Sequence, residues 1–427
     1  MLTLVQMMKS LLTALPLICA LTACNSERAA VDSPQQNYRE QALSAPKPKP
    51  LPVQIAKPAT QIDSFAVQMF SVLAAFQESN FAFSPLGVEE VLHLLKQGAR
   101  GTTAAELNAL PLGNADIKSN SNMSTANALF IDNGCKLKDD IRRASVVSVP
   151  FRDNPQQAAA QINAWVSANT KGFINQVIDT PSTDTRMIAV NALHFKARWD
   201  CFINSSDTDL ADFTRADGSK KSVNMMLHTA KHPYAAGDDW QAIAMQYRSE
   251  GKDKNTYFIA ILPKGDARTF AAKLTPQKYH TIRQALQQAK PRQLEVKLPC
   301  FEIFPADFSI KQALAAMGVT SAFSPGKANY TGFMDESIFL EDIIQRCHVF
   351  TNEDGTEASA CTHALVWLCI RDEEPDIKKI IFNRPFIWVI GDLTSTAPPY
   401  FMGITENPEV ISKDKEPYEN IPHPDDF

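Results

Sequence analysis

Apolar residues recur at helical spacing through residues 86–97 (LGVEEVLHLLKQ), and Ser84-Pro85 stands where a capping hydroxyl and a first-turn proline belong. That segment ends at Gly98, and Thr102 and Thr103 open a further turn ahead of AAEL. From Asn154 to Gln176 another helix is predicted around Ile162, Trp165, Val166 and Ile174. Elsewhere the period changes. Residues 187–195 (MIAVNALHF), 257–262 (YFIAIL), 294–303 (LEVKLPCFEI) and 386–390 (FIWVI) are rich in β-branched and aromatic side chains, which fit a pleated surface. This alternation predicts an α+β fold with large antiparallel sheets over a body spanning residues 61–408, without an internal repeat.

Both ends depart from that pattern. Residues 1–23 carry Lys9 and then an apolar run, Leu11 to Leu21, too short for the ~20 residues a spanning helix needs. A basic start, a short apolar core and small residues at the exit describe a signal peptide. Its exit, Leu21-Thr22-Ala23-Cys24, resembles the bacterial lipobox, which implies lipidation of Cys24 and a chain cut before it. Residues 24–60 are polar and proline-rich, including SAPKPKPLP, and read as a tether with a span of roughly 30–35 Å as a coil. Residues 409–427 form an acidic tail. The expected location is outside the cytoplasm, anchored by lipid to the bacterial outer membrane or cell surface.

Composition narrows the function classes. The chain has 427 residues, 42 basic against 47 acidic, for a net charge of −5, so nothing favours a nucleic-acid partner. Its eight cysteines, two of them (Cys19 and Cys24) in the leader region, are irregularly spaced with no CxxC pair, and the body is large enough not to need disulfides. No GxSxG, HExxH, Walker or GxGxxG motif is present. His228 and His232 (HTAKH) would share a helix face, but two histidines without a third ligand are a weak metal signal, and exposed histidines are the plainer reading. No metal and no cofactor is expected.

A set of short motifs then accumulates in order: Asn80-Phe-Ala-Phe-Ser-Pro85, Gly98-Ala-Arg-Gly-Thr102, Asn127-Ala-Leu-Phe130, Ile162-Asn163 with Trp165, and Val190-Asn191-Ala192 followed by Phe195-Lys196 and Trp199. Phe382-Asn-Arg-Pro-Phe386, Phe401-Met-Gly403 and Asn407-Pro408 complete it. In this order the chain resembles the serpins from about Phe65 to Pro408. The resemblance implies a serpin fold of large antiparallel sheets, about eight to nine helices and an exposed reactive-centre loop. It implies an inhibitor with no catalytic residues of its own, a monomer whose partner is a target endopeptidase.

Inhibition by this family rests on a loop that is cleaved and then added as a central strand, serpin loop insertion being a recognised example of strand addition. Alternate residues must then fit beneath the sheet. From the hinge Glu353-Asp-Gly-Thr, the inward set is Thr356, Ala358, Ala360, Thr362, Ala364 and Val366, all small or apolar and uncharged. The outward set, Glu357, Ser359, Cys361, His363, Leu365 and Trp367, tolerates solvent. Gly355 supplies freedom at the pivot, and no proline interrupts residues 354–368.

In inhibitory serpins the bond cut usually follows the seventeenth residue counted from the hinge Glu, here Cys369–Ile370, with Arg371–Asp372 as the competing bond. Cys369 suits elastase-like or chymotrypsin-like pockets, and Leu368 a papain-like enzyme. At the sheet opening, the family's shutter, Ser84 and Asn191 match, while Gly87 and Gln345 replace residues that are often Ser and His. Cys300 stands where a Lys often pairs with the hinge Glu353. The competing readings are a non-inhibitory serpin, acting as a binding module or cleaved as a simple substrate, and a lipoprotein that holds a small ligand.

Overall fold

The computed structural model describes residues 63–409 apart from 114–121, 139–145, 171, 173, 249–254, 304–308, 357–376 and 396. The chain opens with α1 (Ser64–Phe76), β1 (Phe81–Phe83), α2 (Pro85–Gly98), α3 (Gly101–Ala109), β2 (Met123–Asp132) and β3 (Val146–Val149). Next come α4 (Pro155–Asn169), β4 (Met187–Phe195), β5 (Ala197–Arg198), β6 (Thr208–Thr214), β7 (Lys220–His232), β8 (Tyr234–Ala236), β9 (Trp240–Gln246) and β10 (Thr256–Pro263). Then follow α5 (Ala267–Ala272), α6 (Pro276–Gln288), β11 (Arg292–Pro299), β12 (Phe301–Ile303) and α7 (Ile310–Ala316). The last strands are β13 (Ile343–Arg346), β14 (Val349–Thr351), β15 (Gly355–Thr356), β16 (Lys378–Ile381), β17 (Phe386–Asp392) and β18 (Phe401–Thr405). Seven α-helices thus lie among the described residues, none long and apolar enough to cross a membrane.

Local chemistry accounts for the helix starts. Ser84 Oγ accepts the Gly87 N–H at 3.0 Å, with Pro85 in the first turn of α2. Asn154-Pro155 and Thr275-Pro276 repeat the device at α4 and α6. Helix α4 stops at Asn169, short of the predicted Gln176. Thr170 ends it, its Oγ1 donating to the Val166 carbonyl at 2.8 Å and accepting the Ile174 N–H at 3.1 Å.

A six-stranded sheet, ordered β1-β18-β17-β10-β9-β8, lies at the centre. Strand alternation sends Ile259 and Ile261 of β10 into one core with α1, and Phe258, Ala260 and Leu262 into another shared with β7, β11 and β12. Both faces are covered, which explains why YFIAIL reads as an unbroken apolar run. The segment 294–303, read as one strand, is two. β11 pairs with β7 and β16, Cys300 donates its N–H to Asn224, and β12 joins a different sheet through β14.

The remaining two four-stranded groups, β13-β4-β2-β3 and β12-β14-β15-β5, share their chains. β4 leads into β5 across Lys196, and β13 into β14 across Cys347 and His348. β4 and β13 run parallel and pair from Ala189–Ile343 to Ala192–Arg346. Beyond that point they part, and β15 stands between β14 and β5, antiparallel to each.

Candidate functional site

The parted sheet is closed at its base by a buried polar network. Ser84 donates its backbone N–H to Gln345 Oε1 at 2.8 Å, and Gln345 Nε2 returns bonds to the Ser84 carbonyl at 3.0 Å and to Asn191 Oδ1 at 2.8 Å. Asn191 Nδ2 then donates to Asn127 Oδ1 at 2.7 Å, and Asn127 Nδ2 to Glu90 Oε2 at 2.6 Å. One chain of bonds therefore joins β13, β4, β2 and helix α2. Ser84, Asn191 and Gln345, singled out from the sequence, lie together here. Asn127, Thr125 and Glu90 extend the chain without having been foreseen, since a partner 64 residues away leaves no local pattern. Burial raises the Glu90 carboxyl above its ordinary range, partly offset by bonds from Thr125 and Asn127.

Gly87 belongs to this arrangement. A Cβ there would stand 2.1 Å from Asn191 Oδ1 and 2.4 Å from its Nδ2. The departure from serine at position 87 is thus a packing consequence of where the Asn191 amide sits.

At the other end lies the hinge. β14 turns at Asn352–Gly355, where the Asn352 N–H reaches the Gly355 carbonyl at 2.9 Å and the Asp354 N–H reaches Asn352 Oδ1 at 3.1 Å. Gly355 has φ +150°, and a Cβ would fall 2.1 Å from the Ala197 carbonyl, so glycine alone fits. Thr356 is buried and pairs with Thr351 on one side and Ala197 on the other. Its Oγ1 shares hydrogen bonds with Thr351 Oγ1 at 3.2 Å and with the buried Tyr247 hydroxyl. Desolvation pushes that phenol's pKa well above its ordinary value.

An aromatic platform holds the turn from below. Trp199 stacks on Tyr247 with ring centres 4.7 Å apart, donates its indole N–H to the Asn352 carbonyl at 2.8 Å and its backbone N–H to the Asp354 carbonyl at 3.1 Å. Glu353 has no ion pair among the described residues, and Cys300, standing where a lysine often partners that glutamate, is buried. Ala358, Ala360, Thr362, the bonds Cys369–Ile370 and Arg371–Asp372, and Cys24 all lie outside the described residues.

Two other expectations need correction or placing. His228 and His232 sit on strand β7, not a helix, and are buried, not exposed, because β7 is covered on the face they share. Cys135, Cys201, Cys300 and Cys347 form no disulfide with one another.

The family described as serpin (serine protease inhibitor) matches residues 60–408. An uncharacterized serpin-like protein of Thermococcus kodakarensis is 29% identical over 375 residues, covering 82% of this chain and 85% of that one. Glia-derived nexin of Mus musculus is 28% identical, covering 80% of this chain and 91% of its own. The native-state crystal structure of the thermophilic serpin tengpin superposes with a TM-score of 0.71 at 21% identity, over 85% of this chain and 97% of that one. With its framework motifs, its parted sheet and this match over most of its length, the chain belongs to the serpin family.

Proposed function

We propose that this chain is a membrane-tethered inhibitory serpin, a suicide substrate that traps a serine endopeptidase, or a papain-like cysteine endopeptidase, as an acyl-enzyme. One observation carries the reading: Gly355–Thr356 is already a strand between β14 and β5, antiparallel to both. Extending that strand would continue between β4 and β13. It would replace their parallel ladder with two antiparallel ladders, the more stable pairing per residue. The alternation of small inward residues beyond Thr356 meets the steric demand of that position.

The energetics favour insertion after cleavage. Each added ladder bond is worth about 0.5–1.5 kcal/mol net, against the cost of parting β4 from β13 and breaking the Gln345–Asn191 bond. Some fourteen residues at ~3.3 Å each would carry an attached protease about 45 Å. Its catalytic serine would be drawn from the oxyanion hole, and deacylation would stall. Cys369–Ile370 is the bond proposed to be cut, and a lipid on Cys24 would hold the inhibitor at the outer membrane or cell surface.

Incubating the full chain with elastase-like, chymotrypsin-like, trypsin-like and papain-like enzymes tests this. An SDS-stable complex, with mass spectrometry placing the cut after Cys369, is expected with at least one of the first two or the last. Complete turnover at that bond with no complex for any enzyme would instead leave a non-inhibitory binding module.

A further inference from the structure

The amide chain at the base of the sheet has two ends that no side-chain rotation can reverse. At one end both backbone groups of Ser84 engage Gln345: the N–H donates to Oε1 at 2.8 Å and the carbonyl accepts from Nε2 at 3.0 Å. At the other end stands Glu90, whose Oε2 accepts the Thr125 hydroxyl at 2.8 Å and Asn127 Nδ2 at 2.6 Å. A carboxylate accepts and never donates, whereas a side-chain amide serves either way once it turns over. Asn127 must therefore turn its NH2 to Glu90 and its oxygen to Asn191 Nδ2, 2.7 Å away. Asn191 is left with its own oxygen towards β13, where Gln345 Nε2 donates to it at 2.8 Å. The Thr125 hydroxyl imposes no direction, because it can donate or accept. Among the described residues Glu90 has no cation beside it, so its charge acts through those two bonds.

Asn191 and Gln345 are register partners on β4 and β13, and both are buried. Parting the two strands cuts the chain between them. Gln345 then keeps its direction from Ser84, while Asn191 and Asn127 keep theirs only from Glu90. We propose that Glu90 is a positioning residue for strand insertion: as an obligate acceptor it aims the Asn191 oxygen at the seam, so that β4 and β13 close donor to acceptor, and it thereby sets how readily they part. The inference rests on the insertion reading given above. With no acceptor at position 90, Asn127 and Asn191 are free to turn over. An NH2 group then faces the Gln345 NH2 across a buried seam, and closure is weakened two residues away from the substitution.

The test is hydrogen exchange read by mass spectrometry on the full chain, over β4 and β13, with β10 as the internal reference. Glu90→Met removes the acceptor and is expected to speed exchange at the seam at least tenfold, with β10 unchanged. Glu90→Gln keeps an acceptor oxygen in the same place and is expected to stay within about threefold of the parent. In a Gln345→Met background, where the seam bond is already gone, Glu90→Met should add no more than about threefold. Asn127→Ala breaks the chain with Glu90 in place and should match Glu90→Met, which keeps the test open if the latter does not fold. Equal effects of Met and Gln at position 90, a tenfold effect that survives in the Gln345→Met background, or undisturbed seam exchange in Asn127→Ala would each overturn the assignment. The same proteins are then mixed with protease. Easier parting should raise the ratio of SDS-stable complex to cleaved product. A faster seam with no change in that ratio would instead defeat the insertion reading on which the proposal rests.

Discussion

Replacing Gly87 with alanine sets two effects of opposite sign against each other. Alanine in place of glycine favours a helix by up to about 1 kcal/mol, and Gly87 lies in the first turn of α2. Against this, the new methyl would stand 2.1 Å from Asn191 Oδ1, and the amide must swing away. That breaks its bonds with Gln345 at 2.8 Å and Asn127 at 2.7 Å. With each buried bond lost costing roughly 1–3 kcal/mol, the steric term wins and Gly87→Ala should destabilise by about 1–5 kcal/mol. A double-mutant cycle isolates the cause. In an Asn191→Ala background the space is open, and Gly87→Ala should become neutral or slightly stabilising. Urea midpoints of the four proteins measure this directly. Equal cost in both backgrounds, or a stabilised single variant, would refute the argument that the Asn191 amide dictates glycine at 87.

Other consequences follow from the same contacts. Ala360→Arg places a guanidinium at an inward position of the inserted strand and should turn the inhibitor into a substrate cut at the same bond, while His363→Arg on the outward set should keep inhibiting, as gel assays of complex against cleaved product will show. Arg283, buried against Asp63 at 2.6 Å and donating to the Leu393 carbonyl at 3.1 Å, ties α6 to the start of α1 and the end of β17. Arg283→Ala strands a buried carboxylate and should cost about 3–5 kcal/mol in denaturant unfolding. Glu89 is buried with its carboxyl pushed up to about 8 from 4.5 by desolvation, and it accepts the Gly113 N–H at 2.6 Å. Below pH 4.5 it is protonated folded or unfolded. As pH rises towards 8 the unfolded chain releases a proton that the folded one retains, so stability falls across that window and levels off above it. Glu89→Gln should flatten this part of the pH–stability curve, and an unchanged slope would show that Glu89 is not its source.

Legibility tracked how local each signal was. Strand β4 was readable to its end residues because MIAVNALHF is bounded by charged and polar chain, and α2 because Ser84-Pro85 sets its start. Cys300 marks a hand-over between sheets that apolar content alone does not reveal, so one predicted strand became β11 and β12. Thr170 ended α4 through its own hydroxyl, a device that helical periodicity overlooks. At the candidate site, Ser84, Asn191 and Gln345 came from motif resemblance. Tyr247, 109 residues from the Thr356 hydroxyl it meets, had no signature of its own.

Loop insertion itself is tested most directly by thermal unfolding of the intact protein against the same protein cleaved once within residues 357–376. If the residues after Thr356 join the sheet between β4 and β13, two new antiparallel ladders replace one parallel ladder, and the cleaved form should melt far above the intact one. Equal melting temperatures would contradict the insertion mechanism and with it the proposed mode of inhibition.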